Sequence, residues 1–274
     1  MIPAFLLALR EGLEAALILG IVLSVLRRVG RGEQERMVWL GAGSAALLSL
    51  VFGVGFYSLG ISFEGRAEEI FEGLAMLLAA GVLTWMIFWM DRQGRAIQTE
   101  LEQDVRQAAS GGGRWAIFSL AFLAVFREGI ELALFLTAAT FSSTALAVLT
   151  GALLGLGAAV AAGWLLFRTT ARLDVRAFFR VTSILLIFFA AGLVAYGVHE
   201  LNEAGVIPAV IEHVWDLNPV LDEGSGLGQI MKALFGYNGN PSLTEVLAYV
   251  GYWLVVLVAL RHRQTQAKQV AAAA

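Results

Sequence analysis

Residues 4–18 of this 274-residue chain read AFLLALREGLEAALI, an apolar run that is interrupted by the motif R-E-G-x-E at residues 10–14. The same motif recurs at residues 127–131, inside a second apolar run that reads AFLAVFREGIELALF. A charged residue at the centre of a membrane helix costs about 2.5 to 3.5 kcal/mol. Two apolar segments with the same three charges in the same order therefore indicate where the function of the chain lies.

The composition indicates an integral membrane protein. The chain is 58% hydrophobic and 15% charged, with a mean hydropathy of +0.75. A water-soluble domain carries roughly 25% charged residues. The chain also has no cysteine, which excludes disulfides, iron–sulfur clusters and thiolate metal sites.

Seven segments are long enough to cross a hydrocarbon core of about 30 Å as helices. We place them at 3–26, 37–60, 68–90, 115–141, 145–167, 178–199 and 244–260. Their apolar runs are unbroken, whereas the strands of a membrane barrel alternate polar and apolar residues over about ten positions. The sequence therefore predicts an all-α integral membrane protein with seven transmembrane helices.

The basic residues of the loops predict the orientation of these helices. Fifteen of the 19 Lys and Arg residues lie in alternate loops and in the C-terminal tail. They are Arg27, Arg28, Arg31 and Arg36; Arg92, Arg95, Arg106 and Arg114; Arg168, Arg172, Arg176 and Arg180; and Arg261, Arg263 and Lys268. Because cytoplasmic loops carry the excess of basic residues, we expect the N-terminus outside and the C-terminus in the cytoplasm.

An internal repeat relates the first three predicted spans to the next three. Besides the R-E-G-x-E motifs, residues 79–83 (AAGVL) resemble residues 190–194 (AAGLV), although the second and fifth spans align poorly. A repeat of three spans must insert its second copy upside down, and inverted repeats place a substrate site near the bilayer midplane. We therefore predict one repeat in 1–110, a second in 111–205, and an outer segment with the seventh helix in 206–274.

The two motifs present their charged side chains on one side of each helix. At about 100° per residue, the Arg and the two Glu of each motif fall within an arc of about 100°. The predicted metal ligands are Glu11, Glu14, Glu128 and Glu131, and the accompanying cations are Arg10 and Arg127. Gly12 and Gly129 lie on the opposite side, where a small residue allows a neighbouring helix to approach closely.

The four carboxylates and two guanidinium groups leave a formal charge of −2, which a bound cation or protons must balance. Carboxylate oxygens are hard ligands that suit Mg²⁺, Ca²⁺, Mn²⁺ or Fe³⁺. The alternative is a buried structural ion pair in each helix. That alternative requires one Glu for each Arg, whereas each motif has two.

Further acidic residues lie at the predicted outer ends of two spans. Glu69 and Glu72 open the third span, and His199, Glu200 and Glu203 end the sixth. Such a mouth concentrates cations, so we predict an outer acidic site from these five residues. Weaker candidates in the same outer region are Glu212, His213 and Asp216.

The connecting segments also carry predictions. Residues 91–110 are polar and helix-forming, which predicts a cytoplasmic extension of the third span, with a hinge at the three glycines 111–113. On the outer side, the apolar residues within 211–215 and 230–235 predict short helices packed on the bundle. Residues 242–245 (SLTE) have the spacing of a capping box that opens the last helix.

With these features the chain resembles the high-affinity iron permease family, which comprises EfeU-like bacterial permeases and fungal permeases coupled to a multicopper oxidase. The duplicated R-E-G-x-E motif carries the resemblance, supported by Glu69-x-x-Glu72-Gly73, Gly236-Tyr237 and Pro241-Ser242-Leu243. The resemblance implies a multi-pass transporter of the bacterial inner membrane that is not an enzyme. It implies iron, as Fe³⁺, as the transported substrate of the four motif glutamates, with no organic cofactor and with a separate redox or iron-delivery protein on the outer side.

Other functions remain open at this point. The same carboxylates suit transport of Mn²⁺, Mg²⁺ or protons. An intramembrane metal-dependent enzyme built around His199 and Glu200 is a second alternative, although only half of a zincin H-E-x-x-H motif is present. A retinal photoreceptor is excluded, because both lysines, Lys232 and Lys268, lie outside the predicted spans.

Overall fold

A computed structural model describes residues 1–60, 62–93, 96–168 and 175–273, all of which form helices or their connections, without β-strands. The α-helices within these described residues are α1 (Ile2–Arg28), α2 (Glu35–Gly60), α3 (Arg66–Gln93), α4 (Ala96–Gln107), α5 (Gly113–Phe141), α6 (Ala145–Arg168), α7 (Val175–Glu203), α8 (Gly226–Phe235) and α9 (Leu243–Ala273). Two of the basic loop residues that orient the chain, Arg95 and Arg172, lie outside the described residues. The all-α prediction is confirmed.

Each of the seven predicted spans is one helix in the structure, with ends that differ mostly by one to four residues. The last helix is the exception, since α9 continues to Ala273, well past the predicted end at 260. Five helices (α2, α3, α6, α7 and α9) are long and apolar enough to cross a membrane. The 27-residue α1 and the 29-residue α5 have the length, but each carries the three charges of an R-E-G-x-E motif.

The outer surface of the bundle is apolar. Leu50 of α2, Leu153 of α6 and Val255 of α9 are each more than half exposed, and so are many other large aliphatic side chains on these helices. A water-soluble protein rarely exposes an apolar surface of this extent. Together with the five apolar helices, this surface makes the chain a multi-pass membrane protein.

Three helix pairs form the most extensive contacts: α1 with α6, α2 with α5, and α3 with α7. The predicted small-residue contacts are confirmed, since Gly12 of α1 faces Ala159 of α6 and Gly129 of α5 faces Ser49 of α2. A Cβ atom added at Gly12 would lie 2.7 Å from the Cβ of Ala159, so only glycine permits this approach.

Further close contacts define the direction of each pair. They join Gly151 to the Met1 carbonyl, Gly163 to Ala16, Gly41 to the Phe118 carbonyl, and Gly53 to Ala133. Residue numbers rise together along both pairs, so α1 runs parallel to α6, and α2 runs parallel to α5. By contrast, α1 and α5 are antiparallel: Leu7 packs near Phe135, whereas Val25 packs near Ile117.

The polar segment that follows α3 is helical, as its sequence predicts. Residues 96–107 form α4, which packs against α1, and Val105 is fully buried in a cluster with Val25 and Leu26. The residues that join α3 to α4, 94 and 95, lie outside the described residues. The predicted hinge falls on a π-helical turn at Ala108–Gly112, followed by Gly113, whose φ of 67° favours glycine.

The outer segment confirms one predicted helix and not the other. Residues 230–235 belong to α8, whose N-cap Ser225 accepts a hydrogen bond from the Gly228 amide. The helix predicted within 211–215 is wrong: this part is irregular and exposed. Pro208 and Pro219 interrupt helical hydrogen bonding on either side of it.

The predicted capping box of α9 is confirmed. The Glu245 amide donates to Ser242 Oγ at 3.2 Å, and the Ser242 amide donates to Glu245 Oε1 at 3.0 Å. Both orphan donors at this helix terminus are thereby paired.

Candidate functional site

The antiparallel arrangement of α1 and α5 brings the two R-E-G-x-E motifs together inside the bundle. Glu11, Glu128 and Glu131 each offer one carboxylate oxygen, and these three oxygens lie within 4.8 Å of one another. Two oxygens on opposite sides of a hard cation are separated by about 4 to 5 Å. The three side chains therefore have the spacing of a metal site, after small rotamer adjustments.

Glu14 lies beside this group and contacts it through charge. Its Oε1 atom lies 3.3 Å from Arg10 Nε, and its carboxylate is within electrostatic range of Glu131 and Arg127. The contact with Arg10 is an ion pair without hydrogen-bond geometry, because neither atom is satisfied by it. The structure thus gathers three of the four predicted ligands closely, with the fourth at their edge.

The motif carboxylates are buried and under-bonded. Glu11 is 1% exposed and Glu128 is 4% exposed. One oxygen of each of the four glutamates is buried without a hydrogen-bond partner among the described residues. A buried polar atom without a partner costs about 1 to 3 kcal/mol, and more when it is charged. The oxygens of Glu11, Glu128 and Glu131 therefore call for a cation or a proton, whereas that of Glu14 has Arg10 nearby at 3.3 Å.

The arginines of the two motifs have different surroundings. Arg10 is 1% exposed and contacts Glu11 at 3.5 Å. Arg127 is 43% exposed, donates to Glu131 Oε1 at 3.1 Å, and lies 4.8 Å from the centre of the Trp89 ring. The Arg10 guanidinium is thus fully buried in the bundle, whereas that of Arg127 is partly exposed.

Two methionines of α3, Met86 and Met90, lie against the site. Arg10 Nη2 lies 2.9 Å from Met90 Sδ, and Nη1 lies 3.9 Å from Met86 Sδ. The spacing of four residues on α3 was the available signal, since it puts both thioethers on one helix face. What that face meets depends on tertiary packing, which the spacing does not reveal.

The outer acidic residues also come together, from the ends of α3 and α7. Gly73 packs against the Gly197 carbonyl, which brings Glu72 within electrostatic range of Glu200. Glu200 is also within range of Glu69 and Glu203. Four of the five predicted outer residues therefore form one acidic group.

His199, the fifth, is held by a residue that sequence reasoning treated only as a helix cap. Its Nδ1 atom lies 3.1 Å from Oε1 of Glu245, which is 3% exposed. Glu245 Oε2 also accepts from Asn238 Nδ2 at 2.8 Å. Glu245 thus joins α7, α9 and the outer segment, a role that only long-range contacts reveal.

His199 and Glu200 line a cavity of about 400 Å³ on the outer side. Of the weaker candidates, His213 also lines this cavity. Glu212 and Asp216 are exposed, and Asp216 accepts a hydrogen bond from the Asn218 amide, which is an ordinary turn contact.

The sequence is similar to those of known iron permeases. The sequence matches the iron permease FTR1 family over residues 1–269. It is 39% identical over 261 residues to the ferrous iron permease EfeU of Escherichia coli O157:H7, covering 94% of this chain and 95% of that protein. It is 36% identical over 277 residues to the ferrous iron permease EfeU of Yersinia pestis, covering 100% and 98%. No solved structure matches the chain.

Proposed function

The chain belongs to the iron permease FTR1 family, and on that premise we propose that it imports iron across the bacterial inner membrane through the paired R-E-G-x-E motifs. Membership in this family makes it an iron transporter and not an enzyme. The proposal adds a binding site, a direction and an oxidation state.

The observation that carries the proposal is the set of buried, unpaired carboxylate oxygens on α1 and α5. Glu11, Glu128 and Glu131 have the spacing of a metal site, and Glu14 completes the set. Two arginines offset only half of the four negative charges. A permeating cation supplies the remainder, and it does so transiently, as transport requires.

An inverted repeat of α1–α3 and α5–α7 is supported by the matched helix contacts. Three contacts between α1 and α6 have counterparts between α5 and α2, related by shifts of 117 and 110 positions. The matched pairs are Gly12–Ala159 and Gly129–Ser49, Met1–Gly151 and Phe118–Gly41, and Ala16–Gly163 and Ala133–Gly53. Such a repeat places the motifs at its centre, near the midplane. We propose 1–110 and 111–205 as the two repeats, with 206–274 appended.

We propose that α1 and α5 cross the membrane with the five apolar helices, which gives seven spans with the N-terminus outside. The alternation of basic loops supports this orientation. Iron then first meets the outer acidic group of Glu69, Glu72, Glu200 and Glu203 with His199. That group raises the local concentration of cations before they descend to the motif glutamates.

We propose Fe³⁺ as the form bound by the motif glutamates, because an all-oxygen carboxylate set favours the harder ion. The relatives named above carry the name ferrous iron permease, so a separate oxidase or delivery protein on the outer side would supply the ion. Uptake measured in the presence of a ferrous-specific chelator distinguishes the two oxidation states of the transported ion. Fe³⁺ transport persists in its presence, and Fe²⁺ transport stops.

Glu14→Gln and Glu131→Gln test the site itself. Each variant keeps the side-chain volume and removes one charge, so ⁵⁵Fe uptake into proteoliposomes should be lost while the protein still reaches the membrane. Glu100→Gln, on the exposed face of α4, is the matched control and should retain uptake. Normal uptake by both motif variants would refute the assignment.

A further inference from the structure

The outer segment does not stay at the membrane surface but descends into the bundle. Gly236, which ends α8, packs against Gly192 of α7, and the Phe235 ring lies 5.2 Å from that of Phe188. Gly192 is eleven residues before the end of α7, which corresponds to a depth of about 16 Å. The turn after α8 therefore reaches well into the thickness of the membrane.

Irregular backbone is tolerated at this depth only where its polar groups are paired or line a cavity. Tyr196 Oη donates to the Tyr237 carbonyl at 2.7 Å, and the Gly239 amide donates to Glu223 Oε1 at 2.7 Å. Tyr237 Oη in turn donates to the Leu221 carbonyl at 2.7 Å. These hydrogen bonds hold the segment in place without a regular helix or strand.

Lys232 of α8 projects into the outer cavity. Its ammonium donates to Glu223 Oε2 at 3.1 Å and lies 5.3 Å from the centre of the Tyr196 ring. Lys232 and Glu223 line the cavity together with His199 and Glu200. A carboxylate and an aromatic face are both attractive to a cation, so the ammonium occupies a position in which a free cation would also bind.

We propose that Lys232 acts as a tethered cation in the outer cavity, which we call the outer vestibule. An incoming metal ion must displace its ammonium group from Glu223. This inference rests on the proposed function and assigns Lys232 and Glu223 as specificity-determining residues. Displacement frees Glu223 Oε2 for the metal, while Oε1 keeps its hydrogen bond from the Gly239 amide. The ammonium then moves toward solvent on its flexible stem. The Tyr196–Tyr237 contact keeps the wall of the vestibule fixed while this exchange takes place.

The expected consequence is discrimination by charge. A monovalent ion gains no more from Glu223 than the ammonium already does, so Lys232 excludes it. A multivalent metal interacts with the same carboxylate two- to threefold more strongly at equal distance. Such an ion also binds Glu200 and His199 nearby, which favours displacement further.

Amine labelling tests the displacement directly. Lys232 and Lys268 are the only lysines, and the N-terminal amine is separated from both by peptide mass analysis. With the full-length protein in proteoliposomes and a membrane-impermeant amine reagent, adding Fe²⁺ under reducing conditions should raise the labelling of Lys232 several-fold, whereas Na⁺ at equal ionic strength should not. Labelling that Fe²⁺ leaves unchanged or lowers would overturn the proposal.

The same measurement on the Glu14→Gln/Glu131→Gln double variant separates this inference from the transport site. Loss of uptake with retained iron-dependent labelling supports both proposals. Retained uptake refutes the central site alone, and lost labelling with normal uptake refutes the vestibule alone.

Lys232→Met provides a second test through transport. Removing the tethered charge should lower the KM for iron and allow Na⁺ to compete with iron uptake, whereas Lys232→Arg should preserve both the KM and the discrimination against Na⁺. Lys268→Met removes an equal charge from the C-terminal tail and serves as the matched control. A Lys232→Met protein that inserts normally and shows unchanged KM and selectivity would contradict the assignment.

Discussion

The two R-E-G-x-E motifs are nearly identical in sequence, yet the structure gives them unequal surroundings. Their first glutamates, Glu11 and Glu128, are both almost completely buried. Their arginines differ: Arg10 is enclosed by Met86 and Met90, whereas Arg127 is 43% exposed beside Trp89. The first glutamates of the two motifs are therefore similarly buried, whereas the arginines differ in exposure and in neighbours.

The difference arises from α3, not from the motifs. A single turn of α3 supplies both the thioethers around Arg10 and the indole beside Arg127. On α7 the positions 111 residues later are Gly197, Glu200 and Leu201. The surroundings of the two arginines thus differ although the motif residues match.

The largest expected effect tests the equivalence of the carboxylates. Glu11→Gln and Glu128→Gln should each lower iron uptake by more than tenfold, because loss of one charge-assisted metal contact exceeds about 1.4 kcal/mol. ⁵⁵Fe uptake at matched protein levels measures the effect. Strongly unequal losses from the two variants would show that the motifs do not share one site.

Substituting the arginines should separate the two motifs. Arg10→Leu leaves Glu11 and Glu14 buried without their cation, which typically costs about 3 to 5 kcal/mol. Arg127→Leu also leaves Glu128 and Glu131 without their cation, but Arg127 is 43% exposed, so its interaction is partly screened by solvent and its loss should cost less. Thermal unfolding in detergent should therefore show a much larger drop in Tm for Arg10→Leu. Equal drops would contradict the asymmetry described above.

Substitutions of the two motif glycines, Gly12 and Gly129, should have similar effects on helix packing. Gly129→Ala drives a methyl group into Ser49 Oγ, and Gly12→Ala does the same against Ala159. Overpacking of this kind costs about 1 to 3 kcal/mol. Both variants should lose thermal stability, and the paired changes Ser49→Gly and Ala159→Gly should restore it. If either paired change fails to restore thermal stability, overpacking at that contact is not the cause of the loss.

The smallest effects concern the α3 side chains that break the symmetry. Met90→Leu keeps the volume but removes the sulfur next to Arg10, at a cost below about 1.5 kcal/mol. Trp89→Leu removes a cation–π contact with Arg127 that is worth about 0.5 to 1 kcal/mol at an exposed site. Combining each with its arginine variant in a double-mutant cycle measures the coupling. Coupling of Trp89 to Arg10 instead of Arg127 would contradict the observed geometry.

Much of the fold follows from local sequence patterns. Apolar length located all seven long helices, and the spacing SLTE located the start of α9, because these features depend on neighbours in the chain. The motif glutamates were also predictable, since an unpaired charge in an apolar helix is costly wherever it lies. The contact surfaces of Gly12 and Gly129 followed from helical periodicity alone.

The remaining features depend on contacts between distant residues. The sequence does not show how α2 aligns with α6, because their Gly and Ala stretches match at many offsets. The contacts at Ser49 and Ala159 correspond to a single shift of 110 positions. The same limit applies to Met90 and Glu245, whose partners lie 80 and 46 residues away. The close contact of Gly236 with Gly192 of α7 likewise could not be predicted from local sequence.

The parallel pairing of α1 with α6 and of α2 with α5 has a consequence for biosynthesis. The glycine face of α1 receives its partner only after residue 163 has been made, which at 5 to 20 residues per second is about 7 to 30 s later. The charged motif of α1 likewise waits for its counterpart on α5 until residue 131 has been made. Neither half of the chain is complete by itself, so the nascent protein needs protection during this interval, and separately expressed halves should accumulate only when they are made together.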